Sequence, residues 1–372
     1  MIYRTLGRTG LKVSQLGFGC MRLPVVQEGD AQHVDRSAAV EMIHEAFRAG
    51  VNYIDTAVFY HGGESQITVG EALKGWRDKI VVSTKNHYYG EDEKEWWGHL
   101  ETSLKNLQID CIDIYNHHGI NWKVFCENVQ PRVGAWILKA QQQGLIRHIC
   151  ASFHDDNDGL MKLIDSGYPS VITLQYNMLN RAHEEGIARA HEKGIGVVVM
   201  GPVAGGRLGA SSTVLEGLIP NIKRVPELAL RFVLANPNVS VALSGMSTLQ
   251  QVRENVAVAS DPVALTAADR EAIVAHMARL KKLAELYCTG CRYCMPCPAE
   301  VNIPSVFDKF NTGNVYGMWD IARQGYANIG VAWDPGKRAD ACTQCGKCRE
   351  KCPQKIDIPA QLEKAHELLK GR

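Results

Sequence analysis

The stretch VNYIDTAVFYHGGESQITVGEALKGWRDKIVVSTK, residues 51–85, holds one complete unit of the pattern on which the fold turns. An apolar run at Val51–Ala57 is followed by helical spacing over Ser65–Lys74. Gly75 then stands where a helix end needs a left-handed residue, and a second apolar run occupies Lys79–Lys85. Upstream, a strand is expected at Val13–Met21. Downstream, strands are expected at Cys111–His118, Arg147–Phe153, Val171–Tyr176, Gly196–Met200 and Val239–Ser244. Helical spacing fills the gaps, and Gly50, Gly144, Gly167 and Gly194 again follow helices. Apolar strands alternating with helices imply a parallel sheet covered by helices. Eight such units in about 260 residues fit a closed (β/α)8 TIM barrel better than an open doubly wound sheet. No GxGxxG follows an early strand, which argues against a Rossmann domain.

Outside the eight units, YRTLGRTGLKVSQLGFG (residues 3–19) carries turn residues between two apolar runs and predicts an N-terminal hairpin. After them, Thr266–Leu286 reads as a long amphipathic helix opened by a threonine cap. The domain boundary is expected at its end, giving a barrel over 1–286 and a small α-rich domain over 287–372. The tail Pro359–Leu369 reads as a short helix, and no internal repeat is evident. Lysine and arginine total 41 against 40 acidic residues, so no bulk field favours nucleic acid or an anionic membrane. The N-terminus has no secretory h-region and no apolar run has the length of a membrane span, so a soluble cytoplasmic protein is expected.

The small domain holds CTGCRYCMPCP, with Cys288, Cys291, Cys294 and Cys297, and CTQCGKCREKCP, with Cys342, Cys345, Cys348 and Cys352. Each quartet is followed by proline, and the second has the spacing of bacterial ferredoxins that carry two [4Fe-4S] clusters. In those, the fourth cysteine of each run ligates the other cluster. The expected ligand sets are therefore Cys288, Cys291, Cys294 and Cys352 for one cluster, and Cys342, Cys345, Cys348 and Cys297 for the other. Zinc suits paired CxxC knuckles better than triplets plus a remote cysteine, and disulfides do not suit intracellular thiols. Of the twelve cysteines, Cys20, Cys111, Cys126 and Cys150 remain, and they read as buried small hydrophobes.

In a barrel of this type the carboxyl ends of the strands carry the chemistry. GVNYIDTAVFYHGGES puts Asp55 at the end of the second strand and Tyr60 just beyond it; VVSTKNH ends the third with Lys85; CIDIYNHHG ends the fourth with His117 and His118. In these residues the chain resembles the aldo-keto reductase family over roughly residues 3–259. GVNYIDTA, the segment Gly63–Gly70, STK, and a histidine five residues after Asp113 are the marks of that family. The resemblance implies a catalytic tetrad of Asp55, Tyr60, Lys85 and His118. The chemistry is reasonable in itself, because a phenol is a poor acid at neutral pH unless a cation such as Lys85 lowers its pKa. Tyr60 would then donate a proton to a carbonyl oxygen that His118 orients, while Asp55 holds Lys85 charged. His87, Tyr88, Tyr89, Trp96, Trp97, Trp122 and His154 are expected around the barrel mouth.

The resemblance further implies NADP(H) or NAD(H) across the mouth, contacted by Ser152, Gln175, Gly201, Pro202 and Gly205 of the GPVAGG loop, and Ser247, Gln251 and Asn255. Three positions depart from the family pattern. Phe153 stands where an amide-binding asparagine often follows the serine, Met200 replaces a stacking aromatic, and Gln251 replaces a cation that some members aim at a 2′-phosphate.

Nicotinamide delivers a hydride and iron–sulfur clusters pass single electrons, so joining the two needs an intermediary, a flavin or a redox partner such as a flavoprotein. The clusters could instead staple the tail over the mouth, with Trp333 in a lid. The expected activity is an aldo-keto-reductase-type oxidoreductase acting on a small carbonyl or alcohol. The alternative is a redox-sensing or electron-carrier protein whose barrel binds a nucleotide without reducing carbonyls.

Overall fold

The computed structural model describes residues 1–29, 31–262, 265–288, 290, 292–352 and 356–371, and within 283–287 the backbone alone. Twelve strands are found among these residues: β1 (Tyr3–Thr5), β2 (Lys12–Ser14), β3 (Leu16–Gly19), β4 (Val25–Glu28), β5 (Ala31–Val34), β6 (Tyr53–Asp55), β7 (Val81–Asn86), β8 (Ile112–Ile120), β9 (Ile146–Phe153), β10 (Val171–Gln175), β11 (Gly196–Met200) and β12 (Val241–Gly245). Strands β3 and β6 to β12 close an eight-stranded parallel barrel, with β12 pairing back onto β3. Each barrel strand lies where an apolar run was read. The five glycines that close the intervening helices all take φ between 69° and 93°, a backbone region open to glycine at little cost.

The first strand differs from its expectation. Val13–Met21 is two strands, because the chain changes sheets at Gln15. Before it, β2 pairs antiparallel with β1; after it, β3 enters the barrel. Gln15 is held at the crossing by a bond from its amide nitrogen to the Ile2 carbonyl (3.0 Å) and from its side chain to the Ala259 carbonyl (2.9 Å). The β1–β2 hairpin plugs the floor of the barrel. Leu6 and Val13 are fully buried there against Tyr53, Val81, Ile114, Val171 and Val198. Arg4 ties the plug to the barrel wall by donating to the Val239 carbonyl at 2.6 Å. Gly7 must be glycine, since a Cβ would lie 2.3 Å from the Gly196 nitrogen. A second hairpin, β4–β5, follows β3 and has no strong signal in the sequence, since its side chains are mostly exposed and need no apolar alternation. Cys20 and Cys150 are buried as expected, whereas Cys111 and Cys126 are half-buried.

The chain divides into two compact units, one of residues 1–205 and 229–265, the other of 206–228 and 266–372. The second contains the helices Ala267–Tyr287, Ile303–Asn314, Trp319–Ala327 and Ile358–Leu369. Its core gathers Phe307, Phe310, Tyr326, Ile358, Leu362 and Leu369, with cysteines of both quartets packed against it. Tyr326 links three segments, its hydroxyl contacting His366 Nδ1 (2.7 Å) and accepting from the Ala339 amide (3.0 Å). The structure also corrects the reading that no repeat is present. Val301-Asn302-Ile303-Pro304 and Ile356-Asp357-Ile358-Pro359 follow the two quartets at the same offset, and each leads into a helix with proline in its first turn. A repeat of four residues around a fixed proline is too short to stand out from the sequence alone. Ser212 donates to the Tyr316 carbonyl, which joins 206–228 to the helical part of this unit. Trp333, considered as a lid residue, is 81 % exposed. Among the described residues no helix is long and apolar enough to cross a membrane.

Leu6→Ala should destabilise the barrel by about 2–5 kcal/mol, the range for emptying a buried leucine site. This would be read as a lowered urea midpoint at unchanged slope. An unchanged midpoint would mean that the plug lies outside the cooperative core.

Candidate active site

The parallel register sets side chains of neighbouring strands side by side at the carboxyl end of the barrel. Gly19 lies opposite Asp55, Asp55 opposite Ser83, and Lys85 opposite Asn116. Because strand side chains alternate, Ser83 and Lys85 share one face of β7. Asp55 and Lys85 are both buried and form an ion pair through Asp55 Oδ1. Lys85 also donates to the Thr56 carbonyl at 2.8 Å, and Ser83 donates to Asp55 Oδ2 at 2.7 Å.

Tyr60 is returned to this pair by a tight turn over Tyr60–Gly63, in which His61, Gly62 and Gly63 take φ of 50°, 62° and 97°. A left-handed histidine is costly, and backbone of this kind tends to collect at functional sites. The turn is anchored from outside by Glu64, which contacts His33 Nδ1 and accepts from the Val34 amide, both at 2.7 Å, fastening the end of β5 to the next helix. The Lys85 ammonium lies 4.8 Å from the Tyr60 ring centre. The His118 ring is 5.9 Å from Tyr60, edge-on, and stacks on Phe59 at 4.9 Å. Asp55, Tyr60, Lys85 and His118 are thus brought together. His117 faces elsewhere on β8, buried, with Nε2 2.8 Å from the Tyr168 hydroxyl.

The electrostatics differ in one respect from expectation. Burial raises the Tyr60 pKa, and the opposing pull of Lys85 does not cancel it, so the phenol remains protonated at neutral pH. For Lys85, burial pulls the pKa down, but Asp55 and Tyr60 outweigh it and leave it above the usual lysine value. The site therefore holds an ammonium beside an intact phenol. Burial, with the positive field of Lys85 adding to it, lowers His118 to about 3, and its Nδ1 is buried without a hydrogen-bond partner. Of the rings expected around the mouth, His87 lies edge-on to Phe59 at 4.9 Å, whereas Trp96 is buried among Trp97, Tyr115 and Trp136 as core.

The residues read as nucleotide contacts lie at the ends of β9 to β12 and just beyond. Ser152 is buried near the end of β9, and Gln175 at the end of β10 pairs with Met200. Pro202 is buried, and Gly201 and Gly205 take φ of 64° and 67°. Ser247 receives the Gln251 side chain on its amide (2.8 Å), and Asn255 donates to Ser244 Oγ (3.0 Å). Arg22, passed over in the sequence, joins this group. Its guanidinium donates to the Gly205 carbonyl at 3.1 Å, and its own carbonyl accepts from Ser247 Oγ at 2.8 Å. Its one signal was a cation three residues beyond the first barrel strand. Exposed glycine backbone beside a guanidinium fits a phosphate-bearing ligand. At the other end of the site, Phe153 is buried and offers no amide partner.

In the second unit, the thiol of Cys348 is raised by burial and further by Cys342, Cys297 and Cys345 around it. Cys297 of the first run and Cys342 and Cys348 of the second pack against one core, while among the described residues no group of three or more cysteines, histidines or carboxylates is placed to hold a metal ion. Cysteine thiols of both runs gathered on one core suit iron–sulfur ligation. Cys288, Cys294 and Cys352 pack against the core of the same unit, and Cys291 lies outside the described residues.

Comparison with known proteins agrees with both halves. Residues 15–218 match the model of the aldo/keto reductase family, and residues 287–356 match a 4Fe-4S dicluster domain. L-galactose dehydrogenase of Arabidopsis thaliana is 30 % identical over 286 residues, covering 69 % of this chain and 88 % of its own. The NADH-specific methylglyoxal reductase of Escherichia coli is 30 % identical over 305 residues, covering 68 % and 91 %. Among solved structures, an aldo-keto reductase from Bacillus halodurans in its holo form superposes with a TM-score of 0.64 at 31 % identity, covering 74 % of this chain and 96 % of its own.

His117 and His118, both lowered to about 3 chiefly by burial, should show no imidazole titration by NMR between about pH 5 and pH 8. The unfolded chain would bind protons at these two sites below about pH 6.5 while the folded one does not, so stability should fall as pH drops through that value. A folded-state midpoint near 6.5 for either ring would contradict this.

Proposed function

The chain belongs to the aldo/keto reductase family and carries a 4Fe-4S dicluster domain, and from that premise we propose that its barrel reduces the carbonyl of a small molecule, or oxidises the matching alcohol, with Tyr60 as proton donor and acceptor. The observation that carries the reading is the buried Asp55–Lys85 pair set beside a protonated Tyr60, with neutral His118 against the same ring. In the direction of reduction, the Tyr60 hydroxyl gives its proton to the carbonyl oxygen as the carbon gains a hydride. The tyrosinate left behind is stabilised by the Lys85 ammonium, which Asp55 keeps charged and aimed. His118, uncharged, offers a hydrogen bond to the substrate oxygen without adding a second cation.

A bound nicotinamide nucleotide, NADPH or NADH, supplies the hydride. Ser152 and Gln175 would hold its nicotinamide end, Gly201, Pro202, Gly205 and Arg22 its phosphates, and Ser247, Gln251 and Asn255 its adenosine end. In the second domain we assign two [4Fe-4S] clusters, one to Cys288, Cys291, Cys294 and Cys352 and one to Cys342, Cys345, Cys348 and Cys297. They would exchange single electrons with a flavin or a redox partner protein, since a hydride donor and a one-electron carrier need an intermediary between them.

Two measurements test these assignments. Under anaerobic conditions, Tyr60→Phe should lower carbonyl turnover by about 10²–10⁴-fold, the usual worth of a positioned acid, while nucleotide affinity measured by fluorescence quenching stays within a few-fold of wild type. Full turnover in the variant would remove Tyr60 from the chemistry. Separately, Cys297→Ser should release roughly half of the bound iron and alter the EPR of the cluster held by Cys342, Cys345 and Cys348. Full iron content with an unchanged spectrum would sink the crossed ligation.

A further inference from the structure

Asp55 has a second partner that the tetrad does not include, and behind it runs a chain of hydrogen bonds through the barrel interior. Ser83 Oγ donates to Asp55 Oδ2 at 2.7 Å, leaving Oδ1 to Lys85. Asn116 Nδ2 donates to Ser83 Oγ at 3.0 Å and to the Thr84 carbonyl at 3.0 Å, and Asn116 Oδ1 faces the Thr173 hydroxyl at 3.4 Å. Ser83, Asn116 and Thr173 are all buried.

The chain has a direction. Turning the Asn116 amide over would set its oxygen against the Thr84 carbonyl oxygen, two acceptors face to face, so the NH2 group must point at Ser83. A serine oxygen that accepts from Asn116 has its own O–H free to donate, and the nearby carboxylate oxygen accepts that hydrogen bond. Ser83 is thereby fixed as a donor, with the positive end of its O–H dipole aimed at Asp55. Strand register supplies the spacing, with Ser83 opposite Asp55 on β6 and Asn116 opposite Lys85 across β8.

We propose that Ser83, oriented by Asn116, is a positioning residue that fixes the Asp55 carboxylate and sets how readily Tyr60 gives up its proton. The proposal rests on the reading of Tyr60 as the proton donor. Asp55 opposes ionisation of Tyr60, and a donor dipole on its free oxygen weakens that opposition. Without Ser83, one carboxylate oxygen would be buried with no donor and its negative field at Tyr60 would grow.

The test compares wild type with Ser83→Ala, Ser83→Thr and Asn116→Leu. Tyr60 is followed directly by 13C NMR of ring-labelled tyrosine, assigned with Tyr60→Phe, so that the result does not depend on turnover. Ser83→Ala should raise the Tyr60 titration midpoint, Asn116→Leu should raise it less, and Ser83→Thr, which keeps the hydroxyl, should restore it. In turnover, Ser83→Ala should lower kcat by roughly tenfold with KM little changed, and should move the alkaline limb of the kcat profile upward. An unmoved Tyr60 midpoint in a folded Ser83→Ala protein would overturn the proposal, whatever the activity. A moved midpoint with no carbonyl turnover in wild type would uphold the Ser83 coupling and remove the reductase reading instead.

Discussion

A lysine and an aspartate with almost no access to water have to neutralise one another, and in this barrel the mouth is built around that requirement. Removing either partner of such a pair usually costs about 3–5 kcal/mol, because the other is left charged and dry. Each therefore has further bonds, Lys85 to the Thr56 carbonyl and Asp55 to Ser83. Burial, reinforced by the nearby ammonium, keeps His118 without a proton, and Tyr60 stands protonated beside that cation. An intact phenol and an uncharged imidazole thus both follow from burial beside one ion pair.

The barrel holds another buried carboxylate, and the contrast is informative. Asp113, at the start of β8, contacts Arg77 at 2.9 Å and Arg147 at 2.8 Å and accepts from the Val82 amide at 2.9 Å. A cavity of about 530 Å³ opens beside these residues, but it lies at the amino-terminal end of the strands. Charge pairs at that end of such a barrel support the fold, whereas chemistry belongs to the other end. Asp113 is saturated by two guanidinium groups and has nothing left to offer a substrate. Asp55 meets a single lysine, which retains an interaction with Tyr60.

The barrel was legible because its strands are apolar on both faces and its helices end in glycine, signals that lie within a few residues of one another. The hairpin β4–β5 was not, since exposed strands need no hydrophobic pattern. Asp55, Tyr60, Lys85 and His118 could be picked out because they fall, in order along the chain, at or shortly beyond the ends of successive apolar strands. Ser83 and Asn116 could not, for a buried serine or asparagine becomes meaningful only when strand register reveals its neighbours. Arg22 was hidden for the same reason: its partners, Gly205 and Ser247, lie about 180 and 225 residues away in sequence. The direction of the Tyr60 shift needed the depth of burial, which no spacing reports.

The connection after β11 runs into residues 206–228, which belong to the helical, cysteine-bearing unit rather than to the barrel whose strands flank them. The chain thus enters that unit, returns for β12, and enters again at 266. Neither unit is one uninterrupted piece of polypeptide. A truncation that ended the protein before residue 266 would keep every barrel strand, yet it would deprive Ser212 of the Tyr316 carbonyl and Thr213 of its packing on Gly317. The polypeptide therefore crosses between the two units three times, after 205, after 228 and after 265, so a cut at any single junction leaves one unit incomplete.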